Sequence, residues 1–538
     1  MNYKLFLPLF ALALTAQAQD TYLNERLTNN SSDVIGTARY VGMGGALGAL
    51  GADISTISWN PAGIGLYRKN DIALTFGGIW GKSRIEEASR GKGTIDQAGF
   101  VFNVRTNSET VPYVNFAFNF QKKINFNHNF YADNYNLNGL SQMDQVAEMT
   151  AFSDYYDWKD GYQPNLANLA WDEQYLNADG QNTVLRDNSH TPSSNTYTHH
   201  TEGSLQAFDF NLSTNINNRA FIGLTVGVDN MLFSGYSWYG EYIYDGHDEL
   251  PRYDLYNDYR ITGTGVNVKL GTIIRPFADS PFRVGLAVET PTWYHLKNST
   301  IYTLRYFPDD YIQTDNYSVT DDYESYLKFN LRSPWKFRAS IGSTVGNTLA
   351  WDVDYEFADY VGMSMGYPEY EDDWDGSTSG NIKDVAMNRQ TRKNLRGTHT
   401  LRAGLEINAT KNLAFRLGYN LSTSAYEKSI DYDQFSLAKE GSEYAHNYTT
   451  GTSFMRMGTT NILTLGVGYR IKNFYVDLAY KLRNQFADFY AFDTNFTDSE
   501  YGNPVFLNNN PGLADMTINP VNVDLTRHAI TCTLGFKF

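Results

Sequence analysis

The 538-residue chain has a single cysteine, Cys532, so it can form no internal disulfide. A disulfide-stapled scaffold of the secreted type is therefore excluded. Beyond the first twenty residues it has no apolar run of about 18, the length a membrane-spanning helix needs. Positive charge is also short: 43 Lys and Arg stand against 59 Asp and Glu, a net charge of −16. That balance argues against nucleic acid as a partner, because phosphate-backbone affinity comes from clustered cations. Mean hydropathy is below zero, at −0.44.

Against these shortages stands a surplus of aromatic residues, 15% of the chain, with 40 tyrosines. Low hydropathy and abundant aromatics suit a transmembrane β-barrel, in which lipid-facing and lumen-facing residues alternate between aromatic girdles. The C-terminus has that period of two: Ile530, Cys532, Leu534, Phe536 and Phe538 share one face, and Thr531, Thr533, Gly535 and Lys537 the other. The pattern recurs in Leu349/Trp351/Val353/Tyr355/Phe357 against Asp352/Asp354/Glu356. It returns in Leu401/Ala403/Leu405/Ile407 against Arg402/Gly404/Glu406, and in Phe474/Val476/Leu478/Tyr480/Leu482 against Asp477, Lys481 and Arg483. At the N-terminus, Lys4, the apolar stretch Leu5–Leu14 and Ala16-Gln17-Ala18 have the three-part form of an export signal. Residues 1–18 are therefore expected to be a cleaved Sec signal peptide, and the mature chain to leave the cytoplasm.

Tight polar links are expected at Lys122–Asn125, Asn217–Asn218, Pro276–Pro281, Gly346–Thr348, Thr410–Asn412 and Ile471–Asn473. Long polar segments alternate with them: Tyr135–Gly203, Ser299–Tyr323, Val361–Leu395 and Ala487–Val523. Short turns at one rim and long loops at the other are the outer-membrane pattern. Six turns join twelve strands; Ile72–Trp80 and Leu525–Phe538 complete an all-β, antiparallel barrel of about 14 strands. The expected organisation is signal peptide 1–18, N-terminal hatch 19–69 and barrel 70–538. A closed barrel has no free edge that demands a partner, so a monomer in outer-membrane lipid is expected.

A barrel of this size encloses a lumen that must either conduct or be stopped. The only mature segment ahead of the first strand contains "YVGMGGALGALG" (Tyr40–Gly51) and "SWNPAGIGLYRKN" (Ser58–Asn70). Asn60 before Pro61 is biased to extended backbone and Pro61 fixes φ, so Asn60-Pro61-Ala62-Gly63 reads as a tight turn.

The run Ala38–Phe76, with its Gly44-Gly45-Ala46, Asp53-x-Ser55 and Asn60-Pro61-Ala62 elements, resembles the N-terminal hatch and first strand of the FadL/TodX family of outer-membrane transport proteins. Ser333–Tyr360 and Thr398–Asn420 resemble that family's Pro-led strand pair and its following hairpin. The resemblance implies a fourteen-stranded barrel gated by its hatch, passing long-chain fatty acids or other lipophilic or aromatic compounds passively. It also implies a hatch role for Gly44, Gly45, Asp53, Ser55, Asn60, Pro61 and Ala62, and a kinked third strand that opens the wall sideways. The segment read as that strand, Phe126–Asn134, has no glycine or proline to advertise a kink. General porin activity, haem or other nutrient uptake, and adhesion through the loops stay open as alternatives.

Enzymatic chemistry has little support. Gly42-x-Gly44 is followed by Leu47 where a dinucleotide loop wants its third glycine. A calcium loop begun at Glu371 would need a bidentate Glu where Ile382 stands; Glu369–Gly376 reads as an acidic loop able to bridge lipopolysaccharide through divalent ions. Of the histidines, His190, His199, His200, His247 and His446 are expected in loops, His128, His399 and His528 on lipid-facing phases, and His295 toward the lumen. No catalytic set, metal site or cofactor is expected.

Overall fold

In the computed structural model the described residues are 33–81, 92–148, 166, 169–170, 176–179, 183–186, 191–244, 249–306, 318–319, 323–370, 378–427, 452–492 and 518–538. The expected signal peptide and most of the acidic Glu369–Gly376 loop lie outside them.

Backbone polar groups exposed to lipid can find partners only in a closed ladder, and the chain provides one. Its wall strands are β1 (Asp71–Gly81), β2 (Lys92–Arg105), β3 (Tyr113–Asn125, resuming as His128–Asn134), β4 (Pro192–Ile216), β5 (Ala220–Tyr244), β6 (Glu249–Ile274) and β7 (Arg283–Glu289, resuming as Trp293–Tyr306). The circuit continues with β8 (Tyr323–Arg332, resuming as Lys336–Val345), β9 (Leu349–Asp359), β10 (Gly397–Asn408), β11 (Leu413–Ser422), β12 (Thr460–Ile471), β13 (Phe474–Asn484) and β14 (Arg527–Lys537). Each pairs antiparallel with the next, and β14 pairs back with β1 from Lys537↔Asp71 to Arg527↔Gly81. Reciprocal backbone bonds between Asn70 and Phe538 finish the seam at 3.0 and 3.1 Å. Fourteen strands close the wall.

The outer surface is apolar: Ile72, Leu74, Phe100, Phe116, Leu224, Leu270, Ile341, Leu401, Phe415, Leu465, Val476 and Leu534 are all exposed. Asp352, Asp354 and Glu356 alternate with them and are buried inside, as the period of two required. Buried ion pairs line the interior. Lys269 meets Asp209 at 2.7 Å, Lys123 meets Asp229 at 2.8 Å, and Arg338 bridges Glu289 and Glu356 at 2.6 Å each.

Several expected boundaries are corrected. Lys122–Asn125 is no turn: the short connection between β2 and β3 lies at residues 106–112, and Lys122–Asn125 is the end of the first segment of β3. Their polarity belongs to the lumen. A bulge between Lys122 and Ile124 lets both consecutive lysines reach interior carboxylates, Lys122 to Asp96 and Lys123 to Asp229. The expected long loops are partly strand. β4 and β5 run 25 residues each and β6 runs 26, well beyond the 9–11 that cross a bilayer. The 361–395 segment contains a hairpin (Ser364–Tyr370 with Thr378–Lys383) and a helix (Val385–Asn394). Three short strands, Phe454–Met457, Phe486–Tyr490 and Val521–Asp524, form a sheet of their own.

Three wall strands are interrupted; the breaks in β7 and β8 reverse which face of the strand looks outward, and in β3 the bulge at Lys122–Ile124 does so just before the strand stops. Leu286 points out below the β7 break and Trp293 above it; Phe337 and Trp335 point out on one side of the β8 break and Arg332 on the other. In β3, Phe116 is outward, whereas Ile124, His128 and Phe130 are buried. A one-residue slip flips every later side chain. This is why His128, expected on the lipid face, is buried and His295, expected in the lumen, is outside, bonded through Nδ1 to Asn330 at 2.6 Å. His199 and His200 are also corrected, since they sit in β4 and not in a loop.

Lys269→Met should lower the urea midpoint of the detergent-solubilised barrel by the equivalent of about 3–5 kcal/mol, because Asp209 would be left buried without its cation. Adding Asp209→Leu should restore most of the loss. An unchanged midpoint for the single variant would count against the pair as a buried contact.

Candidate functional site: the stopped lumen and its wall

Residues 33–70 pack inside the barrel as short turns and helices: Ala38–Gly42, then the 3-10 segments Ile54–Ser58 and Pro61–Leu66. Their composition explains the form. Gly44, Gly45 and Gly51 take positive φ, and small residues let backbone approach the wall closely.

The seven residues singled out in the sequence fall into three contact zones of this body. Gly44 and Gly45 lie against β10 and β11: a Cβ on Gly44 would stand 2.7 Å from the Tyr419 nitrogen, and one on the facing Gly418 would stand 2.0 Å from the Gly44 nitrogen. Asp53 caps the Ile54–Ser58 turn, accepting from the Ser55 N–H at 2.9 Å and from the Thr37 hydroxyl at 2.8–2.9 Å. Ser55 Oγ accepts from the Thr37 N–H at 2.8 Å and donates to Gln97 of β2 at 2.9 Å.

Asn60, Pro61 and Ala62 form the third zone. Asn60 Oδ1 accepts from the Ala62 N–H at 3.2 Å, while Nδ2 donates to the Gly48 carbonyl at 2.8 Å and the Thr272 carbonyl of β6 at 3.2 Å. Pro61 opens the 3-10 turn and its carbonyl accepts from Ser213 of β4 at 2.9 Å. Ala62 packs on Phe221 and Ile273. Gly223, Gly271 and Gly285, on β5, β6 and β7, make the recess. A Cβ on Gly223 would lie 2.4 Å from Pro61, one on Gly271 would lie 2.1 Å from Asn60 Oδ1, and one on Gly285 would lie 2.7 Å from the Gly48 carbonyl.

Other anchors escaped the sequence reading. Asp354 accepts the backbone N–H groups of Leu47 and Gly48 at 3.1–3.2 Å, and Asp352 those of Ala49 and Leu50 at 2.8–3.0 Å. Trp59 lies under two guanidinium groups, Arg402 at 3.6 Å and Arg338 at 4.5 Å from its ring centre. Asp33 meets Lys481 at 2.6 Å. Burial pushes the Asp33 carboxyl up, but Lys481, Arg483 and Arg527 outweigh that and hold it well below the usual carboxylate range.

On the long-loop side of this body lies a cavity of about 100 Å³, lined by Ile124, Leu205, Tyr294, Met363 and Trp59 and also by the charged Asp33, Lys123, Glu289, Lys336, Arg338 and Arg402. Further out the interior is aromatic. Phe130, Tyr197 and Phe489 pack at ring-centre distances of 4.6–5.7 Å, and His199 meets the Tyr259 hydroxyl at 2.7 Å.

Beside the cavity the wall is incomplete. β2 pairs with β3 only as far as Gln97↔Gln121; beyond that, Lys92–Ile95 pairs with β1 alone, and β3 pairs with β4 alone. So the third strand does break, without glycine or proline of its own. Gly203 on the neighbouring strand, at φ +105°, takes the strain, and its carbonyl accepts the Phe126 N–H at 3.1 Å. Thr201 donates to the freed Phe126 carbonyl at 2.6 Å, and Arg527 to those of Asn125 and Asn127 at 3.3 and 3.4 Å. The Lys122–Asp96 pair, 3.7 Å apart, and the bonds of Lys92 to Asn127 and Glu202, 3.2 Å each, also span the gap.

No family model and no curated protein matches the chain. Solved structures do resemble it. A FadL homologue of Pseudomonas aeruginosa aligns at 11% identity over 94% of this chain and 98% of that one, TM-score 0.48. The P. putida toluene transporter TodX aligns at 10% identity over 94% and 99%, TM-score 0.46. The monoaromatic hydrocarbon channel CymD aligns at 11% identity over 94% and 98%, TM-score 0.46. None of these scores reaches 0.5, and the barrel is established by its own strand pairings. Among the described residues no cluster of His, Cys, Asp and Glu could hold a metal.

Gly223→Ala or Gly271→Ala, like Asn60→Ala, should loosen the Asn60–Ala62 contacts and raise single-channel conductance in planar bilayers. Gly93→Ala, where a Cβ meets nothing within 4 Å, should leave conductance unchanged. Equal conductance for all four variants would remove the recess as an anchor.

Proposed function

We propose that the protein is a passive channel of the bacterial outer membrane for hydrophobic compounds, with residues 19–69 as the hatch that gates it. The observation that carries this reading is the adjacency of three features: a lumen packed by residues 33–70, a cavity beyond that body with apolar and charged residues both on its walls, and an incomplete wall beside that cavity. An open porin has no use for a body held by glycine recesses on several strands, and an adhesin has none for a cavity inside its barrel. A lipophilic molecule would enter among the long loops, pass the Phe130–Tyr197–Phe489 aromatics and rest in the cavity. Its exit past the β2–β3 gap would avoid the polar vestibule on the short-turn side, where Arg39, Asp53, Glu406, Arg416 and Asp477 line about 270 Å³. Fatty acids and aromatic compounds both satisfy this chemistry. The similarity to FadL-like and TodX-like channels agrees with the reading.

Two measurements test it. Mass spectrometry of protein extracted in mild detergent should find a co-purifying lipophilic molecule or detergent tail; a lumen filled with water alone would favour a porin. In a Cys532→Ser background, Asp96→Cys with Lys122→Cys should cross-link across the wall gap on oxidation. Uptake of a lipophilic substrate by proteoliposomes should then fall several-fold and return on reduction. Uptake indifferent to that cross-link would place the exit elsewhere.

A further inference from the structure

The breaks in β7 and β8 have a second effect, on the outer surface. Trp293 and Trp335, each about half exposed, mark the upper edge of the apolar band, the position of an interfacial aromatic girdle. Beyond them the reversed phase turns charged side chains outward. His295 and Lys297 of β7, Lys328 and Arg332 of β8, and Arg260 of β6 are all exposed on one patch. The register places them together. Arg332 is directly opposite Trp293, Lys297 is directly opposite Lys328, and Ser299 beside them is opposite Arg260. Lys383 continues the patch through the hairpin paired to β8.

Like charges directly opposite on adjacent strands destabilise a sheet, and the whole chain is acidic. The Arg332 guanidinium donates to the Gly362 carbonyl at 3.3 Å; among the described residues neither Arg260 nor Arg332 has a carboxylate within ion-pairing distance. Asp258 and Asp254 of β6 lie further out along the same strand. Elsewhere near the outer edge of the band Trp80 stacks on His528 and Tyr355 on His399, and the exposed Lys92 beside Trp80 is paired with Glu202 at 3.2 Å. Arg260, Lys297, Lys328 and Arg332 thus cluster in one sector, at the height of the lipid headgroups.

We infer that this patch binds the phosphate groups of a phosphorylated outer-leaflet glycolipid. Its height selects a lipid phosphate over a soluble anion, because acyl chains below the girdle would lie on Leu286, Phe337 and Ile341 while the phosphates meet Arg260, Lys297, Lys328 and Arg332. Cations at a membrane surface attract anionic headgroups through charge and hydrogen bonding together. Thr262, Thr264, Ser299 and Asn330 alternate with them as neutral polar groups suited to a sugar. The inference rests on the outer-membrane placement proposed above, and not on what the lumen carries.

Native mass spectrometry of the full-length protein in detergent tests it, with lipid A bis-phosphate and fully dephosphorylated lipid A as probes. The wild type should retain the phosphorylated form at least about tenfold better. Arg260→Gln/Lys297→Gln/Lys328→Gln/Arg332→Gln should reduce retention to the dephosphorylated level, while Lys69→Gln/Lys411→Gln/Arg470→Gln/Lys472→Gln at the opposite rim should keep the preference. Folding is checked by the heat-modifiable gel shift of the closed barrel; if the fourfold variant fails it, Lys297→Gln/Lys328→Gln is read in its place. Equal retention of both lipids by the wild type, or an undiminished preference in the patch variant, would overturn the proposal. Uptake by proteoliposomes free of lipid A reads the transport function separately, so the two can fail independently.

Discussion

Four backbone N–H groups, those of Leu47 to Leu50, are held by two lumen carboxylates, Asp352 and Asp354, and much inside the barrel depends on that grip. Two acidic side chains at i and i+2 of one strand face the same way and repel unless donors separate them. Successive N–H groups in a turn make a concave cradle for anions, here supplied by the chain's own N-terminal body. The geometry tolerates no side chain at the centre, because a Cβ on Gly48 would meet Ser340 Oγ at 2.1 Å and Asp354 Oδ1 at 2.6 Å. The Gly48 carbonyl in turn accepts from Asn60. Thus the position of the Asn60-Pro61-Ala62 turn follows from a contact made twelve residues earlier, on a different part of the wall.

The local chemistry of that turn was legible in the sequence. The extended backbone at Asn60 and the fixed φ of Pro61 are decided by neighbouring residues, while the cap that Asn60 makes and the positive φ of Gly44, Gly45 and Gly51 emerged only in the fold. The alternation of the wall strands was equally legible, since it depends only on which face meets lipid. Trp59 beneath Arg402 and Arg338, and Asp352 and Asp354 at Leu47–Leu50, were not, because each contact joins residues roughly three hundred positions apart. Arg402 and the two aspartates could be assigned to the lumen from periodicity, but nothing local says what they touch there.

The interruptions in β3, β7 and β8 were the harder feature. Periodicity assumes that phase is conserved along a strand, and each break cancels that assumption for everything beyond it. In β7 and β8 the cause is local, Pro291 and Pro334, with Thr290 and Ser333 hydroxyls replacing ladder bonds: Thr290 Oγ1 accepts the Val268 N–H and Ser333 Oγ the Thr292 N–H, at 3.0 and 2.8 Å. In β3 the cause is the bulge at Lys122–Ile124, upstream of the segment, so no inspection of Phe126–Asn134 could find it. His128 and His295 were misplaced for this one reason.

These same breaks explain how a wall can be weak without coming apart. Where the ladder stops between β2 and β3, the carbonyls of Asn125, Phe126 and Asn127 are given donors by Arg527 and Thr201. The gap is therefore spanned by side chains, and a side-chain contact can part while the closed backbone ladder of the other strands remains intact. Arg527 also faces Asp33, which is tied to Lys481 at the start of the N-terminal body. A displacement of that body would free Lys481 and leave Arg527 with less opposing charge, while its hydrogen bonds to the Asn125 and Asn127 carbonyls would carry the change to the edge of the gap. One buried arginine thus meets both the β3 edge of the gap and the field of a carboxylate on the N-terminal body.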